Sequence, residues 1–245
     1  MAVRVAVLAL LALLLTTSSQ GQPLIADISD HRIRIDSGFT GSDVLLFGAI
    51  EGKGDMVVVV RGPDQRVVVR RKDRVAGMWM NRAKMTFDGV PAYYAIASSR
   101  ALDEIAPPEF LALYQIGLAA LRFTPVGASA ESNMATFHEA ILRNRRRDDL
   151  YREEIGAVRL LGGRLFRTEF YFPANVPTGS YRADIYLIRD GIVVSAETAP
   201  LFVTKTGFQA EINDYAQNQP AIYGVAAIAI ALFTGWAAAA IFRKT

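Results

Sequence analysis

The chain has 245 residues, a net charge of +3, no cysteine and a hydrophobic fraction of 51%. The lack of thiols excludes disulfides, thiolate metal sites, thiol catalysis and lipid attachment to cysteine. So small a positive charge does not call for nucleic acid, and no such partner is expected.

Residues 1–21 read as a secretory signal. Arg4 supplies a positive start, and Val5 to Leu15 forms an apolar run of about 11 residues, the length of a signal core and too short to span comfortably. Ser19 or Gly21 would close the cleavage site; an uncleaved signal anchor is the alternative. The exported part, about 190 residues, is long enough to bury a core without cross-links.

Residues 22–106 read as a first β segment. Ile33 and Ile35 alternate with Arg32 and Arg34, the period of a half-buried strand, and Leu24 to Ile28 precedes them as another. Val44 to Ile50 is a continuous apolar strand between the turns at Ser37–Gly41 and Glu51–Asp55. Met56–Arg61 and Arg66–Lys72 are expected to pair as a hairpin across a turn at Gly62–Gln65, where Pro63 presets φ. Arg70, Arg71, Lys72 and Arg74 either blunt an exposed edge or form a basic docking face. Met78, Met80 and Met85 fill gaps in a core; a Cu(I) site built on thioethers is the rarer alternative. Tyr93 to Ala97 is a further strand. The Ser98-Ser99-Arg100 segment that follows is a candidate interaction surface together with Arg70 and Arg71, with Arg100 placed to contact an anion.

Residues 107–151 read as a helical insertion. Pro107-Pro108 opens it, and Phe110, Leu113, Tyr114, Leu118 and Leu121 recur at helical spacing. A second helix is expected from about Glu131 to Tyr151, with Met134, Phe137 and Ile141 on its apolar face. Its basic end, Arg143 to Arg147, suits the helix dipole or anionic lipid. Residues 152–206 return to β structure. Phe166, Thr168, Phe170 and Phe172 share a face, as do Tyr181, Ala183, Ile185 and Leu187. Asp190-Gly191 is a two-residue hairpin signal. In Pro177 to Tyr181 the spacing matches the corner of immunoglobulin-like sandwiches, where a tyrosine hydroxyl pins the chain.

Residues 207–220 are a short polar tether. Residues 221–242 hold no charge over about 22 positions, roughly 33 Å as a helix, and Arg243 and Lys244 lie in the tail at 243–245. The expectation is a single C-terminal transmembrane helix with a cytoplasmic end. Ala227, Ala231, Gly235 and Ala239 share one face of it, a packing surface for another membrane protein or a second copy. The expected fold is therefore mainly β: an exported immunoglobulin-like β-sandwich with a helical insertion, plus that helix.

These landmarks resemble a family of alphaproteobacterial transmembrane proteins of unknown function. The likeness rests on Ile25-Ala26-Asp27, Phe39-Thr40-Gly41, Leu46-Phe47-Gly48-Ala49, Val57 to Pro63, Val69 to Lys72 and Tyr94 to Arg100. Phe172 to Pro177, Leu187 to Gly191 and Gly235-Trp236 add to it. The resemblance implies a bacterial inner-membrane protein with a periplasmic domain, and a sulfite-exporter-like permease as partner. It brings no activity or cofactor and no functional residue.

The expected function is a membrane-anchored periplasmic accessory protein that associates with another inner-membrane protein. The alternative is a solute- or oxyanion-binding accessory domain for such a permease. An enzyme is not expected: His31 and His138 lie on different elements, and Ser98 and Ser99 have no evident base. No cofactor or metal is expected.

Overall fold

A computed structural model describes residues 24–75, 77–127, 134–206, 224–225, 228–229, 231–236 and 238. The strands are β1 (Leu24–Ile28), β2 (Arg32–Ile35), β3 (Gly41–Ile50), β4 (Asp55–Arg61), β5 (Asp64–Val75), β6 (Met78–Pro91) and β7 (Tyr94–Ser98). Helices α1 (Leu102–Ile105) and α2 (Pro108–Leu113) follow, then a 3-10 turn at Leu118–Ala120, β8 (Thr124–Val126) and α3 (Met134–Arg147). The chain closes with β9 (Gly156–Ala157), β10 (Arg159–Leu161), β11 (Leu165–Pro173), β12 (Gly179–Arg189) and β13 (Ile192–Lys205).

Among the described residues three sheets form, ordered β1-β3-β11-β10, β2-β13-β12-β4-β7-β9 and β5-β6-β8. The first core lies between the four- and six-stranded sheets. Leu46, Phe166 and Phe170 meet Val58, Ile185 and Leu201 there. A second core covers the opposite face of the six-stranded sheet, where Val57, Val59, Tyr94 and Ile188 pack with Phe87 from the third sheet and with Phe137 and Ile141 of α3.

That second core corrects the expected immunoglobulin-like sandwich. Such a sandwich has one core between two sheets and polar outer faces. Here the central sheet is apolar on both faces, so Met56 to Val60 is buried without alternation. The tyrosine corner is nonetheless made: Tyr181 Oη donates to the Pro177 carbonyl at 2.5 Å.

The expected hairpin of Met56–Arg61 with Arg66–Lys72 is corrected too. β4 pairs with β12 and β7, while β5 pairs with β6. The register runs on from Arg61↔Tyr94 to Asp64↔Pro91. Residues 55–98 are therefore one long hairpin bent between two sheets, and Gly62-Pro63 is the bend rather than a turn. Gly62 N–H donates to the Tyr93 carbonyl, and Ala92 N–H to that of Pro63, so the pairing holds across the bend. A Cβ on Gly62 would sit 2.8 Å from the Tyr93 nitrogen and 2.9 Å from the Tyr181 ring, which is why the bend needs glycine.

The expected transmembrane helix is the third correction. Among the described residues no helix is long and apolar enough to cross a membrane. Residues 231–236 of this region are described and form a helical run. Ala231 and Gly235 fall in that run and are exposed. Ala227 and Ala239, the tether and the signal segment lie outside the described residues.

Candidate functional site

The second-core face of the six-stranded sheet ends in a polar cleft of about 660 Å³. Strand alternation places its floor. Val57 and Val59 face the second core, so Arg61 two residues on faces the same way. On β12 the same side carries Arg182, Asp184 and Tyr186, and Thr198 of β13 lies opposite Asp184 in the register. The connection after α2 brings Tyr114 and Gln115 over this floor, and Asp64 and Arg122 complete the wall.

Arg61 and Asp184 form the floor, their side chains only 10% and 13% exposed. Arg61 Nη1 donates to Asp184 Oδ2 at 2.5 Å. Its Nη2 donates to the carbonyls of Tyr114 (2.8 Å) and Gln115 (3.2 Å), and the guanidinium lies 5.8 Å from the Tyr94 ring centre. Thr198 Oγ1 donates to Asp184 Oδ1 at 3.0 Å, and Arg182 Nε approaches the other oxygen at 3.5 Å. Tyr94 Oη donates to the Gln115 carbonyl and accepts from Gly117 N–H. Burial pushes its hydroxyl up to about 12 and also raises that of Tyr186, so both stay protonated donors at neutral pH.

The Arg61–Asp184 pair thus pins the 114–117 connection onto the sheet. Losing one partner of a buried pair strands a charge and costs about 3–5 kcal/mol. With that pair satisfied, Arg122 and Arg182 face the cleft against the single carboxylate of Asp64. Two guanidinium groups and tyrosine hydroxyls around a polar volume suit a small solute with an anionic group.

The segment singled out in the sequence is engaged internally. Arg100 Nε donates to Asp55 Oδ1 at 2.8 Å and Nη2 to Oδ2 at 2.5 Å, with Glu104 at 3.4 Å. Ser99 Oγ accepts from Met56 N–H and donates to Asp55, and Ser98 Oγ donates to the Arg100 carbonyl. These bonds clamp the end of β7 to the start of β4. Arg70 and Arg71 lie elsewhere, on β5, beside Lys72 and Arg143 of α3 around a cavity of about 350 Å³.

The histidines do not meet. His31 contacts Asp27 at 3.0 Å on the surface, whereas His138 bonds to the Leu121 carbonyl and stacks on Phe123. Among the described residues no three His, Cys, Asp or Glu side chains could hold a metal. Sequence reasoning named only the Tyr181, Ala183, Ile185 and Leu187 face of β12 and passed over Arg182, Asp184 and Tyr186, so it missed the cleft. The available signal was Tyr186 and Ile188, apolar residues on that other side.

The fold and cleft define a β-rich, three-sheet scaffold with a polar cleft between strand ends and a short connection. The chain belongs to the family described as "Putative transmembrane protein (Alph_Pro_TM)", whose model matches residues 23–244. That family description is consistent with membrane association. No curated protein matches the chain. A chain of the solved structure "Structural basis of T cell specificity and activation by the bacterial superantigen toxic shock syndrome toxin-1" is similar at 9% identity, over 75% of this chain and 99% of that one. Its TM-score is 0.29, too low to carry an argument.

Proposed function

We propose that the chain is a membrane-associated accessory protein that binds a small anionic solute, of the oxyanion class, in the Arg61–Asp184 cleft. The observation that carries this reading is the polar cleft with Arg122 and Arg182 on its wall over a floor that is already charge-satisfied. We read it as a binding module rather than an enzyme: Ser98 and Ser99 serve the Asp55–Arg100 clamp, and the carboxylate that Ser99 meets is itself held by Arg100. The expected leader at 1–21 supports placing the domain on the periplasmic side of the inner membrane. A sulfite-exporter-like permease is the proposed partner, since its substrate chemistry would match the cleft.

Calorimetry of the full chain in mild detergent, titrated with sulfite, sulfate and small sulfonates, tests the solute. Heat is expected from at least one of them. Arg122→Gln and Arg182→Gln should each weaken binding about tenfold or more, since a hydrogen bond to a charged group is worth roughly 1.5–3 kcal/mol. Both side chains are exposed, so the fold should survive. No heat with any of these anions overturns the reading. Affinity capture from membranes, with mass spectrometry of what co-purifies, tests the permease separately.

A further inference from the structure

The far end of the β5–β6 hairpin has no role in the cleft. β8 pairs with β6 only at Thr86 to Asp88, so from Val69↔Met85 to Val75↔Met78 the ribbon is two-stranded among the described residues. Those six steps along β5 reach about 20 Å.

Its apolar side does not stop where the core stops. Val69 and Met85 face each other and are buried. The register skips Arg82 between Arg71↔Ala83 and Lys72↔Asn81, a one-residue bulge that shifts the alternation of β6. Residues directly opposite share a face, so Met80 (opposite Asp73) and Met78 (opposite Val75) continue the side of Met85. Unlike Met85, they are 52% and 64% exposed.

Charge surrounds this end. Residues 70–84 hold six cationic side chains and one carboxylate, and Trp79 stands opposite Arg74 in the register. Arg70, Lys72, Arg74 and Lys84 are exposed. Arg74 Nε also donates to the Gly77 carbonyl, which ties the turn.

We propose that residues 70–84 are a membrane-docking ribbon. Met78 and Met80 enter the interface of an anionic bilayer, and the cations behind them contact lipid phosphates. By register Arg70, Lys72, Arg74 and Lys84 fall on the side away from the methionines, whereas Arg71 and Asp73 fall on the methionine side. Exposed apolar side chains beside a group of cations are the pattern of interfacial elements, and cations near a bilayer are drawn to an anionic leaflet. Lipid fits better than an acidic protein groove because the cations come from both strands around an apolar end, in a family described as transmembrane. This inference is independent of the solute reading and involves none of the cleft residues.

The chain holds two tryptophans, so Trp236→Phe leaves Trp79 as the sole reporter. The full chain carrying that change is reconstituted in nanodiscs of phosphatidylcholine, with and without an equal part of phosphatidylglycerol, using acyl-brominated lipid. Trp79 emission is expected to shift to the blue and to be quenched in the anionic discs, with quenching falling as salt is raised. Replacing Arg70, Lys72 and Arg74 together by Gln should return quenching to the neutral-disc level. Met78→Ser with Met80→Ser should abolish the blue shift. Water-like, unquenched emission in anionic discs overturns the proposal, and is what a ribbon that docks on protein would give. Equal quenching in both kinds of disc overturns the headgroup role.

Discussion

Asp55 joins two strands through charge. Its hydrogen bonds from Arg100 hold its carboxyl below the ordinary carboxylate value, although partial burial acts the other way. A carboxyl with a lowered folded pKa contributes stability above its unfolded pKa, and that contribution is lost as pH falls through the folded pKa. Arg100→Gln should therefore destabilise the chain at neutral pH, and only modestly because Arg100 is half exposed and solvent screens the pair. The gap between variant and wild type should close as pH drops below the carboxylate range. Urea titrations at a series of pH values check this, and a gap that stays constant with pH would show that Asp55 is not its source. Arg100 shows how far one residue can be read in advance. Its placement after a strand was legible, but the carboxylate that occupies it comes from 45 positions earlier.

At the scale of elements, two valine runs that look alike in sequence have opposite fates. Val57 to Val60 of β4 are all buried, alternately in the two cores. On β5, Val69 is buried while Val68 is 50% exposed. A hydroxyl placed in either core without a partner costs about 1–3 kcal/mol, whereas surface changes stay within about 0.5 kcal/mol. Val58→Thr and Val59→Thr should thus both destabilise by the larger amount, and Val68→Thr by the smaller, in chemical denaturation. Equal effects at Val59 and Val68 would contradict a two-sided β4. Several elements were readable because their signal is local. Asp190 and Gly191 both take positive φ, +51° and +75°, as a two-residue hairpin requires, and Arg189 pairs with Ile192. Phe166, Thr168, Phe170 and Phe172 alternate inward on β11 as their spacing implies. The β4–β5 junction was misread because Gly-Pro suits a turn and a bend equally, and only the partners β12 and β6 decide between them.

For the whole molecule, the six-stranded sheet is the wall common to both cores. β4, β7 and β12 each contribute residues to both. Damage to either core should therefore spread through that sheet, and Phe166→Ala in the first or Ile141→Ala in the second should lower one shared transition. The cost expected of such large-to-small changes is about 2–5 kcal/mol. Thermal melts followed by far-ultraviolet and near-ultraviolet circular dichroism should coincide for both variants. A second transition in either would mean that the cores fold separately.

The sequence by itself determined the strand-rich class, the positions of most strands, the apolar face of α3, the tyrosine corner and the family. Each of these rests on short-range spacing or on a continuous motif, which a chain carries whatever its partners. Only the tertiary structure decided that the central sheet is buried twice, that residues 55–98 are one bent hairpin, and that Arg61 meets Asp184 across 123 positions. The cleft and the uncovered ribbon end follow from those pairings. Hydrogen-bond partners and the second face of a strand are chosen by the rest of the fold, and no local pattern encodes them.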